Sequence, residues 1–345
     1  MSAARLTIKC LKWIGVAILA IVILIAFAWA YGALHFDGPS KWLAVGQAGA
    51  IVAVFVLVKQ WKRKLAIFAI WFGIVLTWWL SLKPTNVGDW QADVKQQPWA
   101  EVNGDQVTLH NVRNCIYRTE SDYTAVWETR TVDLTKLTHI DMAVCYWGSP
   151  WMAHPILSFQ FSNAPPVCFS IETRYKVGES YSAIGGLYRQ FELIYIAADE
   201  RDIIRVRTNY RKNEDIYLYR TSAGVAEVRE RFMEYIRSIN DIREHPRWYN
   251  AITTNCTTAI RHQHPAAERS RWDWRMLVNG KGDELMYERR TIETDNLPFA
   301  ELKKQSWINP AAKAANDSPD FSTLIRVGCP GMETEPKTSS ATPPQ

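Results

Sequence analysis

Three long uncharged apolar runs near the N-terminus constrain this chain more than any other feature. They cover residues 13–34, 42–58 and 65–82 and are 17 to 22 residues long. Runs of this length match a helix that crosses the hydrocarbon core of a bilayer. The sequence therefore predicts a membrane anchor of three transmembrane helices within residues 1–85. The first run could instead be a cleaved secretory signal. However, its apolar core is longer than a signal's and two further runs follow it, so we expect a retained helix.

The basic residues around these runs predict the orientation of the anchor. Three of them precede the first run, and four lie in the tight turn between the second and third runs: Lys59, Lys62, Arg63 and Lys64. The loop between the first two runs offers only Lys41. Because positive loops stay in the cytoplasm, the N-terminus is expected inside and everything after Lys83 outside. This predicts a bacterial inner-membrane protein with a periplasmic C-terminal domain.

The net charge of +5 comes from the anchor. Residues 1–85 hold nine of the 40 basic residues and one of the 35 acidic ones, so the exported part carries a charge of −3. A nucleic-acid surface needs a basic patch on the soluble domain. The sequence shows none, and we expect no nucleic-acid partner.

Five cysteines follow the anchor: Cys115, Cys145, Cys168, Cys256 and Cys329. An odd number in a compartment that permits disulfides allows up to two bridges and leaves a thiol over, without indicating which. No CxxC pair or zinc-type spacing occurs among them. His262 and His264 form an H-x-H pair without a clear third ligand, and the glycines of 178–186 are not followed by the Lys-Ser/Thr of a phosphate-binding loop. We therefore expect no metal and no cofactor.

The exported part is expected to begin with a polar linker at 86–105, continue as one domain at 106–329 and end in a disordered tail at 330–345. Strand-like composition, with turn residues between, marks six segments: 137–147, 154–161, 167–175, 190–198, 202–210 and 215–221. Apolar residues from Val225 to Ile239 then recur at helical spacing, and His245-Pro246 ends the run. The predicted class is α+β, an antiparallel sheet with packed helices behind a three-helix anchor.

Cys256 lies in the polar stretch TTNCTTA, and three roles are open to it: buried filler, half of a disulfide, or nucleophile. Asn255 or Thr254 could cap a helix that begins near this cysteine. A thiol in the first turn of a helix meets the positive end of the dipole, which favours the thiolate. A nucleophilic cysteine also needs a base.

His154 is the best-placed candidate base. It opens the segment HPILSFQF, and alternation along VCFSIETR puts Glu172 and Arg174 on its polar face. If the two segments form a hairpin, His154 lies opposite Glu172 or Arg174, and either register leaves Glu172 in direct or diagonal contact with it. A carboxylate beside an imidazole fixes its tautomer and stabilises the imidazolium. The alternative is a structural histidine beside a surface pair of Glu172 and Arg174.

Five stretches carry a family resemblance. They are AHPILSFQF, FSIETRYKVGESYSAIGGLYRQFELIYIAADERDIIRVRTNYR, YLYR, RWYNAITTNCTTAIR and DNLPFAELKK, within about 147–327. Together they resemble the family named for the N-terminal periplasmic domain of Lnb, a bacterial lipoprotein N-acyltransferase. The resemblance implies a papain-like thiol fold related to NlpC-type enzymes, permuted so that the histidine strand precedes the cysteine helix. It implies Cys256 as nucleophile and His154 as general base, with Glu172 as the orienting residue. Asn255 and Tyr249 flank the thiol as oxyanion donors or, alternatively, as helix cap and packing aromatic.

Three functions follow as expectations. The first is a membrane-anchored thiol acyltransferase that takes an acyl group from a phospholipid or another donor. The acyl group would pass through a thioester on Cys256 to an amine, such as the N-terminus of a lipoprotein or an envelope peptide. The second is a thiol hydrolase that acts on cell-envelope peptide or amide bonds with the same residues. The third is a non-enzymatic envelope module whose cysteine forms a disulfide.

Overall fold

The computed structural model describes residues 3–253, 260 and 271–332. The chain divides into two compact units. The first comprises Met1–Thr85, Ser180–Glu192 and Trp248–Ala251, and the second comprises Asn86–Glu179, Leu193–Arg247 and Ile252–Gln345.

Three apolar helices form most of the first unit: α1 (Ala3–Phe36), α2 (Lys41–Leu57) and α3 (Trp61–Ser81). By length and composition two segments could cross a membrane. Lys9–Phe36 has a mean hydropathy of 2.7 and Trp61–Ser81 has one of 1.7. α2 has 17 residues, about 26 Å of helix against a hydrocarbon core of about 30 Å. The prediction of three spans is therefore confirmed for two helices and not for α2.

The second unit is built on an eight-stranded sheet with the order β1-β2-β9-β8-β7-β6-β10, in which β5 also pairs with β2. Its strands are β1 (Trp99–Asn103), β2 (Gln106–Arg113), β5 (Trp127–Asp133), β6 (Leu137–Trp147), β7 (Ala153–Phe161), β8 (Val167–Arg174), β9 (Glu192–Ala198) and β10 (Glu214–Arg220). A separate ribbon pairs β3 (Ile116–Tyr117) with β4 (Tyr123–Thr124). β6 to β10 match five of the six predicted strands. Most pairings are antiparallel as predicted, but β2 meets β9 in parallel at Arg113 and Ala198.

The prediction of a sixth strand at 202–210 is wrong, because this segment is helical. It holds the end of α4 (Glu200–Ile203) and a π-helical turn at Val206–Tyr210. Asp199 caps α4 by accepting a hydrogen bond from the backbone N–H of Arg201. The β-branched residues that suggested a strand are buried instead on a helical segment, so tertiary packing overrides their local preference.

The segment 86–105 also differs from the predicted linker. It carries β1 and several buried residues, among them Trp90 and Val94. The guanidinium of Arg174 lies 4.3 Å from the centre of the Trp90 ring. This segment is therefore part of the packed sheet unit.

Helices cover both faces of the sheet. α5 (Val225–Glu244) occupies the predicted helical run and packs Phe232 and Tyr235 against Phe159 and Phe169. The remaining helices are α6 (Arg275–Val278), α7 (Gly282–Glu288), α8 (Phe299–Gln305), α9 (Asn309–Ala314) and α10 (Phe321–Leu324). Residues of α9 and α10 share a second buried cluster with Ile156 of β7. Because both faces are covered, the central strands are buried almost throughout.

A buried ionic network ties the C-terminal segment to the sheet. The Nε of Arg326 donates to Asp141 Oδ2 at 2.8 Å, and its Nη1 donates to Glu200 Oε2 at 2.9 Å. Arg220 pairs with the same Asp141, and Ser158 donates to Glu200. Asp141 and Glu200 have no exposed surface. Such charges remain buried only while their partners do.

Replacing Arg326 by Met should lower the free energy of unfolding by about 3–5 kcal/mol, because Glu200 would lose its main counter-charge. Denaturant unfolding of the purified full-length chain in detergent measures this loss. Arg237 lies exposed on α5, so Arg237→Met is the matched control and should change stability by about 0.5 kcal/mol or less. Equal effects of the two substitutions would contradict the role given to the network.

Candidate active site

His154 and Glu172 lie on neighbouring antiparallel strands, as predicted. The register between β7 and β8 pairs Ile156 with Ser170, and its continuation sets His154 opposite Glu172. Of the two predicted registers, the structure has the direct one. The imidazole Nε2 lies 3.5 Å from Glu172 Oε1, and both side chains are largely buried.

Ser170 lies between the imidazole and the carboxylate. Its hydroxyl donates to Glu172 Oε1 at 2.7 Å, and its Oγ lies 2.6 Å from His154 Nε2. Because the single hydroxyl proton goes to Glu172, the serine oxygen can only accept from His154, which requires a proton on Nε2. In the neutral imidazole Nδ1 is then the nitrogen that can take up a proton. This is the tautomer that a general base needs when its Nε2 side is fixed by an orienting group.

Arg207 supplies the positive charge of the cluster. Its Nη2 donates to Glu172 Oε1 at 3.3 Å, and its Nη1 donates to Glu214 Oε2 at 3.2 Å. Burial raises the pKa of Glu172. The hydrogen bond from His154 and the charge of Arg207 outweigh that effect and hold the pKa well below its ordinary value. Glu172 is therefore a carboxylate at neutral pH and can stabilise a protonated His154.

The sequence analysis did not predict two members of this cluster, Ser170 and Arg207. Ser170 alternates onto the same face as Glu172, so the strand pattern contained the signal. Arg207 lies in the segment 202–210, whose predicted strand conformation gave no reason to bring it to Glu172. The sequence also paired Glu172 with Arg174, whereas Arg174 donates to the carbonyls of Val94 and Lys95.

Cys256 and Asn255 lie outside the described residues, as do Thr254, His262 and His264. Their predicted roles stay predictions. Tyr249 is described and buried, and its backbone N–H donates to the carbonyl of Phe191 at 2.9 Å. Its predicted oxyanion role also stays a prediction.

The other four exported cysteines are buried free thiols: Cys115, Cys145, Cys168 and Cys329. Burial raises the pKa of Cys115 and of Cys145 to about 12, and that of Cys329 to about 11. It also raises the pKa of Cys168 well above its ordinary value. A thiol that stays protonated at neutral pH is a poor nucleophile. Among the exported cysteines, these four are therefore unsuited to nucleophilic chemistry.

An apolar cavity of about 360 Å³ lies on the α5 side of the sheet. Apolar side chains of β6, β7 and α7 line much of it: Met142, Val144, Leu157, Leu285 and Met286. Pro155, the residue after His154, lines the cavity from the face of β7 opposite to the His154 side chain. Ile260, four residues after Cys256 in sequence, also lines the cavity. The cavity therefore lies on the other face of the sheet from the His154 side chain.

Within residues 3–253, 260 and 271–332, no group of three or more His, Cys, Asp or Glu side chains is arranged to hold a metal ion. The cluster around His154 instead has the components of acid–base chemistry. It contains an imidazole, a hydroxyl, a carboxylate and a fixed guanidinium.

Residues 123–280 match the family model of the Lnb N-terminal periplasmic domain. The resemblance predicted from the sequence is thereby confirmed, and the matched range includes His154, Glu172 and Cys256. No curated protein and no solved structure matches the chain. Together with the apolar helices α1 and α3, the match indicates a membrane-anchored protein with a periplasmic domain.

Substituting Glu172 by Gln keeps the side chain's size but removes the charge that Arg207 contacts. The pKa of Glu172 is depressed in the folded state, so its stabilising effect is present above the unfolded-state pKa. That effect is lost as the pH falls through the folded-state value. At pH 7 the variant should be less stable than the wild type by about 2 kcal/mol. The difference should shrink as the pH is lowered below the ordinary glutamate value of 4.5.

Thermal melting across this pH range measures the difference. Glu230 is exposed on α5, and Glu230→Gln provides the control, with little change at any pH. A difference for Glu172→Gln that does not vary with pH would show that Glu172 is not the ionised group described here.

Proposed function

We propose that this chain is a membrane-anchored periplasmic thiol acyltransferase, with Cys256 as nucleophile and His154 as general base. The observation that carries the proposal is the buried cluster of His154, Ser170, Glu172 and Arg207. An apolar cavity on the other face of the sheet, lined in part by Ile260 four residues after Cys256, adds support. The match to a periplasmic domain family supports the compartment.

In the proposed reaction the thiol proton of Cys256 passes to His154 Nδ1, and the thiolate attacks the carbonyl carbon of an acyl ester. The ester C–O bond breaks, the alcohol leaves with the proton from His154, and the acyl group stays on sulfur as a thioester. An amine then attacks the thioester, His154 accepts its proton, and the C–S bond breaks to release an amide and the thiol. Glu172, through Ser170, holds the imidazole and stabilises its charged form. Asn255 and Tyr249 are proposed to donate to the oxyanion.

The cavity favours acyl transfer over the alternative of peptide or amide hydrolysis. An acyl chain needs an apolar space of this kind, whereas a hydrolase acting on envelope peptides needs an open polar cleft. Two of the arginines that line the cavity already have carboxylate partners, Arg231 with Glu227 and Glu234 and Arg275 with Asp273 and Glu288, so the apolar walls and not charge favour an acyl chain. A phospholipid is therefore the proposed donor and a lipoprotein N-terminus or envelope peptide the proposed acceptor. The permuted papain-like arrangement belongs to the same proposal.

The anchor is proposed to hold the site at the outer surface of the inner membrane. For this topology α2 must cross as a third span, with the basic N-terminus and the turn at 59–64 in the cytoplasm. Holding the site at the lipid surface raises its effective concentration near lipid substrates.

Purified full-length protein incubated with phospholipid vesicles should acquire an acyl mass on the Cys256 peptide that hydroxylamine removes. Cys256→Ser and His154→Ala should abolish the adduct, whereas His139→Ala should keep it, because His139 is exposed on the neighbouring strand β6. Peptide mass spectrometry measures the adduct. A free, alkylatable Cys256 without any adduct would favour hydrolysis, and a Cys256 locked in a disulfide would favour the binding module.

Narrowing the cavity should shorten the acyl chains that the protein accepts. Val144→Phe places a ring in the cavity and should slow acylation by long-chain esters about tenfold or more. The loss of contacts to a few methylene groups costs about 1–3 kcal/mol, which accounts for this slowing. Acylation by a two-carbon thiol-reactive ester should stay near the wild-type rate, because its short chain does not need the cavity. Val102 is exposed on β1, so Val102→Phe is the matched control. If Val144→Phe slowed acylation by both esters equally, the cavity would not be the site that binds the acyl chain.

A further inference from the structure

Buried arginines are a recurring feature of the second unit. Within residues 3–253, 260 and 271–332 five arginines are buried: Arg113, Arg174, Arg205, Arg207 and Arg326. Three of them, Arg113, Arg207 and Arg326, each form an ion pair with at least one carboxylate. Arg174 donates to two backbone carbonyls through different nitrogens. Arg205 has neither arrangement.

Arg205 leaves one edge of its guanidinium without a partner. The side chain is 8% exposed, and its Nη1 donates to the carbonyl of Asn316 at 3.0 Å. Its Nε is buried and donates to no described atom, and no described atom accepts from its Nη2 either. Nε and Nη2 form the edge through which an arginine binds two oxygens at once. In this chain Arg113 binds the two oxygens of Asp202 through the same two nitrogens.

The acidic residues beside Arg205 have other partners. In the same helical segment each binds a different arginine: Asp199 binds Arg130, Glu200 binds Arg326 and Asp202 binds Arg113. Asp317, next to Asn316, is exposed and accepts from the Asn316 side chain at 2.9 Å. In the part of the chain that the structure describes, Arg205 therefore has a buried charge without a carboxylate partner. Burying such a charge costs free energy unless an anion offsets it.

Arg201 brings a second positive charge one helical turn before Arg205. It is partly exposed, and its side chain has no hydrogen bond or ion pair with a described residue. Residues four apart on a helix lie on the same face, where like charges repel each other. A water molecule could accept from Arg205 Nε, but it would not offset either charge. An anion would do both.

The position of Arg205 is fixed by the end of α9. Asn209, on the π-helical turn, donates from Nδ2 to the carbonyl of Ala312 at 3.1 Å and to Asn316 Oδ1 at 2.7 Å. These bonds hold the backbone of 312–316 against the turn. Because Arg205 Nη1 is bound to the Asn316 carbonyl, its unpartnered edge keeps a fixed direction.

We propose that Arg205 and Arg201 form a binding site for a phosphate group. Arg205 donates from Nε and Nη2 to two phosphate oxygens, and Arg201 provides the second positive charge. A phosphate group suits this pair because it offers several oxygens and a charge of about −1 to −2. A free phosphate ion and the phosphodiester of a lipid headgroup share this chemistry. The site is separate from the His154 cluster, whose cation is Arg207, and it does not depend on the proposed acyl transfer.

The test titrates the purified full-length chain in detergent with inorganic phosphate and, separately, with glycerophosphoethanolamine. Ionic strength is held constant with chloride, and calorimetry and melting temperature are the measurements. The wild type should bind saturably and melt at a higher temperature with the bound anion. Arg205→Met should weaken binding about tenfold or more, because it removes charge-assisted hydrogen bonds. Arg205→Lys keeps the charge without the two-nitrogen edge and should bind with intermediate affinity.

Two further variants bracket this effect. Arg201→Met should weaken binding about threefold, as expected for a partly exposed charge. Arg237 is exposed on α5, so Arg237→Met is the matched control and should bind like the wild type. If Arg205→Met does not fold, an unchanged affinity in both Arg205→Lys and Arg201→Met overturns the proposal.

The melting temperature without phosphate distinguishes a binding role from a structural one. Arg205→Met should not lower it, because the substitution leaves no buried carboxylate without a partner. Arg326→Met should lower it, because Glu200 then loses its counter-charge. A fall for Arg205→Met as large as that for Arg326→Met would show that Arg205 has a structural role and would overturn the proposal.

The two ligands separate the sources of the phosphate group. Binding of inorganic phosphate alone supports a site for the free ion, and binding of glycerophosphoethanolamine supports a site for a lipid headgroup. The proposal is overturned if neither ligand binds the wild type, or if Arg205→Met binds both as tightly as the wild type.

Discussion

The buried charge of Glu172 is the interaction on which the described site depends. Burying an ionised carboxylate within this sheet costs free energy unless hydrogen-bond donors or positive charges surround it. Ser170, His154 and Arg207 provide them, and Glu214 pairs with the second side of the guanidinium. Since the hydroxyl proton of Ser170 is taken by Glu172, the tautomer of His154 follows from the charge of the carboxylate. The electrostatics of one buried group thus set the chemistry available at the imidazole.

The same requirement explains why the segment after β9 is helical. Arg207 must reach Glu172 and Glu214 at once, and it does so from the π-helical turn at Val206–Tyr210. A π-helical turn is rare and often marks a functional site. In this chain it directs a cation toward the histidine cluster. The network of Arg326, Asp141 and Glu200 satisfies a second set of buried charges on β6 and α4. We regard these ion pairs as fixing which segments pack together, while the aromatic and aliphatic contacts of the two faces provide most of the stability.

The parts of the fold that were predictable are those in which local pattern and tertiary packing agree. β6 and α5 appear as expected, because their alternation and helical spacing describe faces that are in fact buried. The register of His154 and Glu172 was narrowed to two choices, since a hairpin between two patterned strands allows few. Failures occurred where a long-range partner decides the outcome. Nothing local in 202–210 reports that Arg207 must meet Glu172.

The prediction of a linker at 86–105 failed for a related reason. Its glycine, proline and polar residues are typical of a linker. However, Trp90 packs against Arg174, Val94 is buried in the core, and β1 pairs with β2. These partners lie far away in the sequence, and burial against them decides the conformation of the segment. A composition typical of a linker therefore became part of a core, because the free energy gained by packing Trp90 and pairing β1 outweighs the local preference of the glycine, proline and polar residues.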